Sequence, residues 1–364
     1  MTYYCDQCKK FWIYAVEKCI FCGGKLSQKE ETKYHVIGYS EVHVPSTGNE
    51  RVPYYVNLLE DEHGQKIIRK SFNKYRIDDF FSFEQDHHQN IVIGIIGTGL
   101  LGIQLAAFML QRGYPTILKT RDEKTINPSI QKIRKILSKQ SEETEINKIL
   151  QELSITLHYT DLKSCDIIIE AVAENIKIKK DVFNELSKIC RETTIFATNS
   201  SSLSIDKIAE GISNPERCIG MHFFNPVHKM DLVEIVIGKK TSQNTQDTIV
   251  GFASDLNKKP IVTKNSPGYI VNRLLLPQIN EAIQILESGI STKEDIDNAV
   301  ILGLNHPMGP LKLADFIGLD ICLSILKVLS NELDNNKYRP ANLLYQMVRE
   351  GKLGYKSREG FYKY

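Results

Sequence analysis

The chain contains no run of about 18 apolar residues, the minimum for a membrane-spanning helix. Its first residues also lack the basic, apolar and small-residue regions of a secretion signal. These absences predict a cytoplasmic protein with no membrane partner. Charge of one sign is missing too: 46 Lys and Arg against 44 Asp and Glu leave a net +2, an ordinary soluble balance. Cysteine is sparse, with eight residues in 364. Cys165, Cys190, Cys218 and Cys322 lie far apart without motif spacing, which predicts reduced, buried thiols rather than a disulfide framework. What is present, 42% hydrophobic and 25% charged residues, is material for about two or three domains.

The most informative stretch is Asn90 to Ala107. A β-branched apolar run ends in Gly97-x-Gly99-x-x-Gly102 and passes directly into apolar residues at helical spacing. Strand, glycine turn and helix in this order suit a dinucleotide pyrophosphate. Gly97 permits the tight turn, Gly99 lets the backbone approach the phosphates, and Gly102 lets the helix pack on the strand. Leu100 and Leu101 open the helix, whose free N–H groups face the phosphates. This predicts a Rossmann-type, doubly wound α/β fold with a parallel sheet.

Ahead of it stand Cys5-x-x-Cys8 and Cys19-x-x-Cys22, separated by ten residues. Four thiolates on two tight turns suit a tetrahedral structural zinc, and a segment this short needs such a staple. Short extended runs follow at Tyr34–Val44, Tyr54–Leu59 and Lys66–Phe72, with turn residues between them, predicting a small antiparallel barrel. A ribbon followed by such a barrel resembles the rubredoxin-like ribbon plus OB-fold family that accompanies thiolases and related acyl-CoA enzymes. The resemblance implies recruitment of a thiolase or another acyl-CoA enzyme. OB-folds also bind single strands, but residues 1–90 carry 12 Lys and Arg against 13 Asp and Glu. That balance argues against nucleic acid. Residues 84–90, with His87 and His88, read as a polar linker.

The second nucleotide-fold strand is expected at Thr116–Lys119. An acid at its end would hold a ribose 2′-hydroxyl, whereas a nearby Arg accommodates a 2′-phosphate. This chain reads Lys119-Thr120-Arg121-Asp122, with Thr120 in the acid's place. Unless Asp122 reaches back, NADP is favoured over NAD. Residues 127–153 read as helix, with Lys132, Arg134, Lys135 and Lys139 on one face, either solvated or receiving the phosphates of a CoA ester. The strand Asp166–Val172 leads to Glu174-Asn175.

Polar residues then emerge beside apolar runs expected to be parallel strands: Asn199-Ser200-Ser201-Ser202-Leu203, His222-Phe223-Phe224-Asn225-Pro226 and Leu232-Val233-Glu234. Strand ends beside a dinucleotide are where an α/β fold places its chemistry. These segments, with Ser266-Pro267-Gly268-Tyr269-Ile270-Val271-Asn272-Arg273 and the ending Gly354–Tyr364, resemble the L-3-hydroxyacyl-CoA dehydrogenase family, including 3-hydroxybutyryl-CoA dehydrogenase, from about residue 91 onward. The resemblance implies His222 as general base or acid, Glu234 holding it, and Ser201 and Asn272 binding the reacting oxygen. It places Glu174, Lys179 and Asn199 near the nicotinamide, Asn225 and Ser201 at the substrate, and Lys135 and Lys139 near the CoA. The types suit the chemistry. An imidazole moves a proton near neutral pH, and a carboxylate on its other nitrogen sets the tautomer.

Three features depart from that family: the front module, Thr120 in place of an acid, and His228-Lys229 after the Asn-Pro-Val segment. The expected organisation is a zinc ribbon over 1–30, an OB-like barrel over 31–84, a linker over 85–90, the nucleotide domain over 91–265 and a helical domain over 266–364. Its helices are expected at Ile270–Glu287, Ser291–Ala299, Leu311–Leu329 and Asn342–Arg349, closing the substrate cleft and forming a homodimer. Asp315 and His306 read as structural. The alternatives are another hydroxy-acid dehydrogenase of the superfamily, or a non-catalytic acyl-CoA scaffold.

Overall fold

The computed structural model describes residues 2–5, 7, 10–12, 22, 25–29, 34–42, 54–61, 64, 66–71, 75–81, 91–139, 141–333 and 336–364. The chain divides into two compact units, Met1–Asn90 and Ile91–Tyr364.

In the first unit, β1 (Thr2–Cys5), β2 (Lys10–Trp12) and β3 (Leu26–Lys29) form an antiparallel sheet with β1 in the middle. Cys8, Cys19 and the side chain of Cys5 lie outside the described residues, so the expected four-thiolate set does too. The strands β4 (Tyr34–Val42), β5 (Tyr54–Asp61), β6 (Lys66–Ser71) and β7 (Phe80–Phe81) form a second antiparallel sheet, ordered β6-β5-β4-β7. Alternation puts Tyr34, Val36 and Leu59 on one buried face, where Phe81 joins them. Among the described residues β6 and β7 are the edges of this sheet, and the predicted linker lies outside them.

The second unit is built on an eight-stranded sheet. Its strands are β8 (Ile93–Ile96), β9 (Thr116–Lys119), β10 (Leu153–Thr156), β11 (Ile167–Glu170), β12 (Ile195–Thr198), β13 (Cys218–Phe223), β14 (Leu232–Ile237) and β15 (Lys259–Lys264), ordered β10-β9-β8-β11-β12-β13-β14-β15. The first six run parallel and are apolar because helices cover both faces. One face packs α1 (Leu100–Gln111), α2 (Ile126–Leu137) and α3 (Glu143–Gln151) through Leu105, Ile133 and Ile146. The other packs α4 (Ile176–Ile189) and α5 (Ile205–Ala209) through Phe183 and Ile208. The helix α6 (Gln243–Asp255) returns to the first face through Ile249 and Phe252.

Two expectations about this unit are corrected. The single helix over 127–153 is α2, α3 and then strand β10. Ile146 follows Leu137 by nine residues, about two and a half turns, so one straight helix would point them oppositely. The polar stretch between them breaks the helix, and both side chains are buried. Secondly, β14 runs antiparallel to β13. The connection 224–231 is shorter than the dozen or so residues that a parallel crossover requires.

From Val271 onward the chain is helical: α7 (Val271–Glu287), α8 (Lys293–Leu304), α9 (Pro310–Ile317), α10 (Leu319–Leu333) and α11 (Asn342–Arg349) enclose Leu276, Leu311, Leu326 and Leu344. The expected helix over 311–329 is instead α9 and α10, broken at Gly318, whose φ of +105° no helix continues. The helix expected at Ser291–Ala299 begins after the Thr292 cap and runs on to Leu304. No helix among the described residues is long and apolar enough to cross a membrane.

Candidate active site

The glycine turn joins β8 to α1. Gly97 has φ +112°, and a Cβ there would lie 2.6 Å from the Ala171 carbonyl oxygen. At Gly102 a Cβ would come within 2.0 Å of the Gly97 carbonyl oxygen, so helix and strand could not close. A Cβ at Gly99, the residue capping α1, meets nothing within 4 Å. Open space therefore adjoins the free amides at the start of α1, the environment a pyrophosphate needs. A cavity of about 870 Å³ runs from this turn, past the end of β9, to Ser201 and His222. Leu100 and Leu101 line its mouth, with Leu100 largely exposed.

The antiparallel pairing of β13 with β14 sets His222 directly across from Glu234. His222 Nδ1 lies 2.7 Å from Glu234 Oε2, with both side chains almost fully buried. The other oxygen, Oε1, accepts from the amides of Ile270 and Val271 at 3.0 Å each. These amides open α7, so the carboxylate sits at a positive helix end. Burial opposes its charge, but the bonds from His222 and Val271 prevail, and Glu234 lies below the ordinary carboxylate pKa. Phe224 and Tyr269 flank the imidazole with ring centroids 4.5 and 5.8 Å away.

Beside the dyad lies a buried ionic network. Lys179 donates to both oxygens of Glu170 at 2.8 and 2.9 Å and lies 3.2 Å from Glu174 Oε2. Glu170 is fully buried and also accepts from Thr198 Oγ1 and the Val172 amide. Glu174 Oε1 accepts the Ser200 hydroxyl at 2.6 Å and the Ser201 amide at 3.0 Å, with the Ser201 hydroxyl at 3.3 Å. Burial would raise the Glu174 pKa, yet Lys179 and the Ser200 hydroxyl hold it below its usual value. Asn272 Nδ2 donates to the Ser201 carbonyl at 3.0 Å, tying α7 to the serine turn. Asn199 Oδ1 accepts from the Phe223 amide at 2.8 Å, linking that turn to the histidine strand.

The structure thus gathers Gly97, Gly99, Leu100, Leu101, Gly102, Thr120, Arg121, Glu174, Lys179, Asn199, Ser201, His222, Glu234 and Asn272 around one crevice or its immediate support. Lys179 is 1% exposed and lines the cavity wall, where it faces two carboxylates and holds Glu174. Asn225 is exposed, and its Oδ1 accepts from Gln104 Nε2 at 2.9 Å. Lys135 and Lys139 lie exposed on and just beyond α2, outside the cavity lining. Glu170, Thr198 and Gln104 escaped the reading of the sequence. Its one signal for Glu170 is a lone acid closing an isoleucine strand, nine residues before Lys179.

Known proteins match the second unit of this chain. Residues 92–266 match the NAD-binding domain of 3-hydroxyacyl-CoA dehydrogenase, and residues 268–364 match its C-terminal domain. A 3-hydroxybutyryl-CoA dehydrogenase of Clostridioides difficile is 45% identical over 277 residues, 75% of this chain and 99% of that one. The human mitochondrial hydroxyacyl-coenzyme A dehydrogenase is 38% identical over 284 residues, 75% of this chain and 90% of its own. The crystal structure of a (S)-3-hydroxybutyryl-CoA dehydrogenase from Ralstonia eutropha superposes with a TM-score of 0.71 at 39% identity, covering 75% of this chain and 98% of that one. The chain therefore belongs to the 3-hydroxyacyl-CoA dehydrogenase family.

Proposed function

We propose that this enzyme interconverts a short-chain (S)-3-hydroxyacyl-CoA, such as 3-hydroxybutyryl-CoA, and the 3-oxoacyl-CoA. The observation that carries the reading is that His222, backed by the buried Glu234, lines the same cavity as Gly97 and Gly99 of the glycine turn. When bound, a nicotinamide cofactor supplies the hydride acceptor or donor. The open space at Gly99 and the amides of α1 fit its pyrophosphate.

The protein's part is proton transfer and oxygen binding. Glu234, held ionised, accepts from Nδ1–H, which leaves Nε2 as the base that takes the 3-hydroxyl proton. In the reductive direction the same nitrogen returns it. The Ser201 hydroxyl is held only loosely by Glu174, and Asn272 keeps one N–H beyond its bond to Ser201, so both can donate to the reacting oxygen. Reduction of acetoacetyl-CoA, followed by nicotinamide absorbance beside free acetoacetate, tests the reading. Turnover of the thioester alone is expected. Equal turnover of the free acid would move the enzyme to another hydroxy-acid class, and turnover of neither would leave a scaffold.

The finer assignments belong to the same proposal. Cys5, Cys8, Cys19 and Cys22 hold a structural zinc, supported by their spacing. The front module recruits a thiolase or another acyl-CoA enzyme, the chain forms a homodimer, and it works in the cytoplasm. Thr120 in place of an acid favours NADP(H) over NAD(H).

A further inference from the structure

We propose that Gln104, on the second turn of α1, is a positioning residue for the substrate. It turns the side-chain amide of Asn225 so that the nitrogen, and not the oxygen, is offered to the thioester carbonyl of an acyl-CoA. The inference rests on the dehydrogenase reading and deepens it by naming what sets the thioester end.

Gln104 reaches two groups of the connection 224–231 that leaves β13. Its Oε1 accepts from the Val227 amide at 2.9 Å, and its Nε2 donates to Asn225 Oδ1 at 2.9 Å. These bonds fix the orientation of both side chains. A backbone amide only donates, so the Gln104 oxygen must face Val227 and its nitrogen must face Asn225. That nitrogen needs an acceptor, so Asn225 must present its oxygen to it. The Asn225 Nδ2 is left on the other side of its amide, with no hydrogen-bond acceptor among the described residues.

The connection is also held from behind. Lys258, 7% exposed and 4.4 Å from the centroid of the Phe108 ring of α1, donates to the carbonyls of Val227 at 2.6 Å and Met230 at 2.8 Å. The amides of Lys229 and Met230 return to the Pro226 carbonyl at 3.0 and 3.1 Å. Val227 is thus gripped at its amide by Gln104 and at its carbonyl by Lys258. The direction of the Asn225 amide is set before a ligand arrives, so binding spends nothing on ordering it.

Asn225 is exposed and stands three residues past His222, and the Phe224 ring between them packs on the imidazole. In a 3-oxoacyl-CoA the thioester carbonyl lies two carbons from the oxygen that His222 serves, and the CoA beyond it must lead out to solvent. The first exposed polar side chain after His222 is therefore the one placed to meet that carbonyl, and a neutral N–H suits a neutral acceptor. With the amide turned the other way, two acceptors would face each other. Hydride transfer changes the charge on the C3 oxygen far more than on the thioester oxygen. The Asn225 bond is then equally strong in ground and transition states, and its loss reads in KM rather than kcat.

Steady-state reduction of acetoacetyl-CoA by the full chain, with NADH and with NADPH, tests the assignment, and cofactor affinity is followed separately by fluorescence. Gln104→Met is expected to raise the KM for acetoacetyl-CoA about tenfold, with kcat within about threefold and cofactor affinity retained, the scale of one lost hydrogen bond. Gln104→Glu still accepts from Val227 but cannot donate to Asn225, so it keeps the loop tied to α1 and should raise KM all the same. Asn225→Ala should raise KM by itself, and in that background Gln104→Met should add less than about twofold, because no amide remains to be oriented. Equal factors in the two backgrounds overturn the proposal, as does an unchanged KM in Gln104→Glu or a loss shared equally by cofactor affinity. Absence of acetoacetyl-CoA reduction by the unaltered protein would instead overturn the dehydrogenase reading itself.

Discussion

His222 and Glu234 are cross-strand neighbours, and the 2.7 Å bond between them is closed on its far side by the first amides of α7. One carboxylate thus fixes both the His222 ring and the start of the helical domain. The two substitutions should therefore separate. His222→Gln is expected to lower kcat by about 10³-fold with cofactor affinity retained, as loss of an acid–base group does. Glu234→Gln should lower kcat less and also shift the acid limb of the pH–rate profile. A profile that superposes on the parent's would remove Glu234 from the proton-transfer role.

The buried pair Lys179–Glu170 makes a stability prediction. Glu170→Gln alone leaves the Lys179 ammonium with Glu174, at the longer distance, as its charged partner, and about 3–5 kcal/mol should be lost in urea denaturation. Glu170→Gln with Lys179→Met should recover part of that loss, because no unpaired charge stays buried. Additive losses in the double variant would show that the two groups act independently.

Acid should weaken the fold in a defined window. Glu174 and Glu234 have folded-state pKa values below their ordinary ones. A depressed carboxyl contributes stability that is fully present above its unfolded pKa of about 4.3 and is lost as pH falls through the folded value. Denaturation midpoints should therefore be flat from about pH 7 to 5 with respect to these two groups and fall below about pH 4.3. The fall should be shallower in Glu174→Gln.

The thiols of the second unit should be inert in the folded enzyme. Burial pushes Cys165 and Cys322 up to about 12 and Cys190 to about 11, and it raises Cys218 further. Peptide mapping after native alkylation at pH 8 should find Cys165, Cys218 and Cys322 unmodified, and modified only after denaturation. Rapid native labelling of Cys218 would contradict its full burial.

The C-terminal segment is pinned by one carboxylate. Asp315 accepts from the amides of Phe361 and Tyr362, each at 2.9 Å, and from the Tyr364 hydroxyl at 3.1 Å. A Cβ at Gly360 would lie 1.9 Å from Asp315 Oδ1. Gly360→Ala should cost roughly 1–3 kcal/mol of thermal stability, as overpacking does. An unchanged Tm would mean that the tail is not held here.

The nucleotide fold was legible because its signals are local. Ile93–Ile96 is a short β-branched run, the three glycines follow within six residues, and an apolar helix begins at once. The helical domain announced itself by the same periodicity, and Asn342–Arg349 falls where it was expected. The break at Gly318 was less visible, since one glycine in an apolar stretch does not declare its φ.

The order of residues alone supplied the side chains: an imidazole on one strand, a carboxylate on the next, glycines at turn spacing and two cations where an acid was expected. Tertiary structure alone decided their company. Antiparallel pairing put His222 opposite Glu234, α7 brought its amides to the same carboxylate, and packing turned Lys179 inward toward Glu170 and Asp122 toward its own turn. The reason is physical. Turn and helix signals depend on neighbours in the chain, whereas the charge state of a buried group depends on residues tens of positions away that only folding brings within about 3 Å.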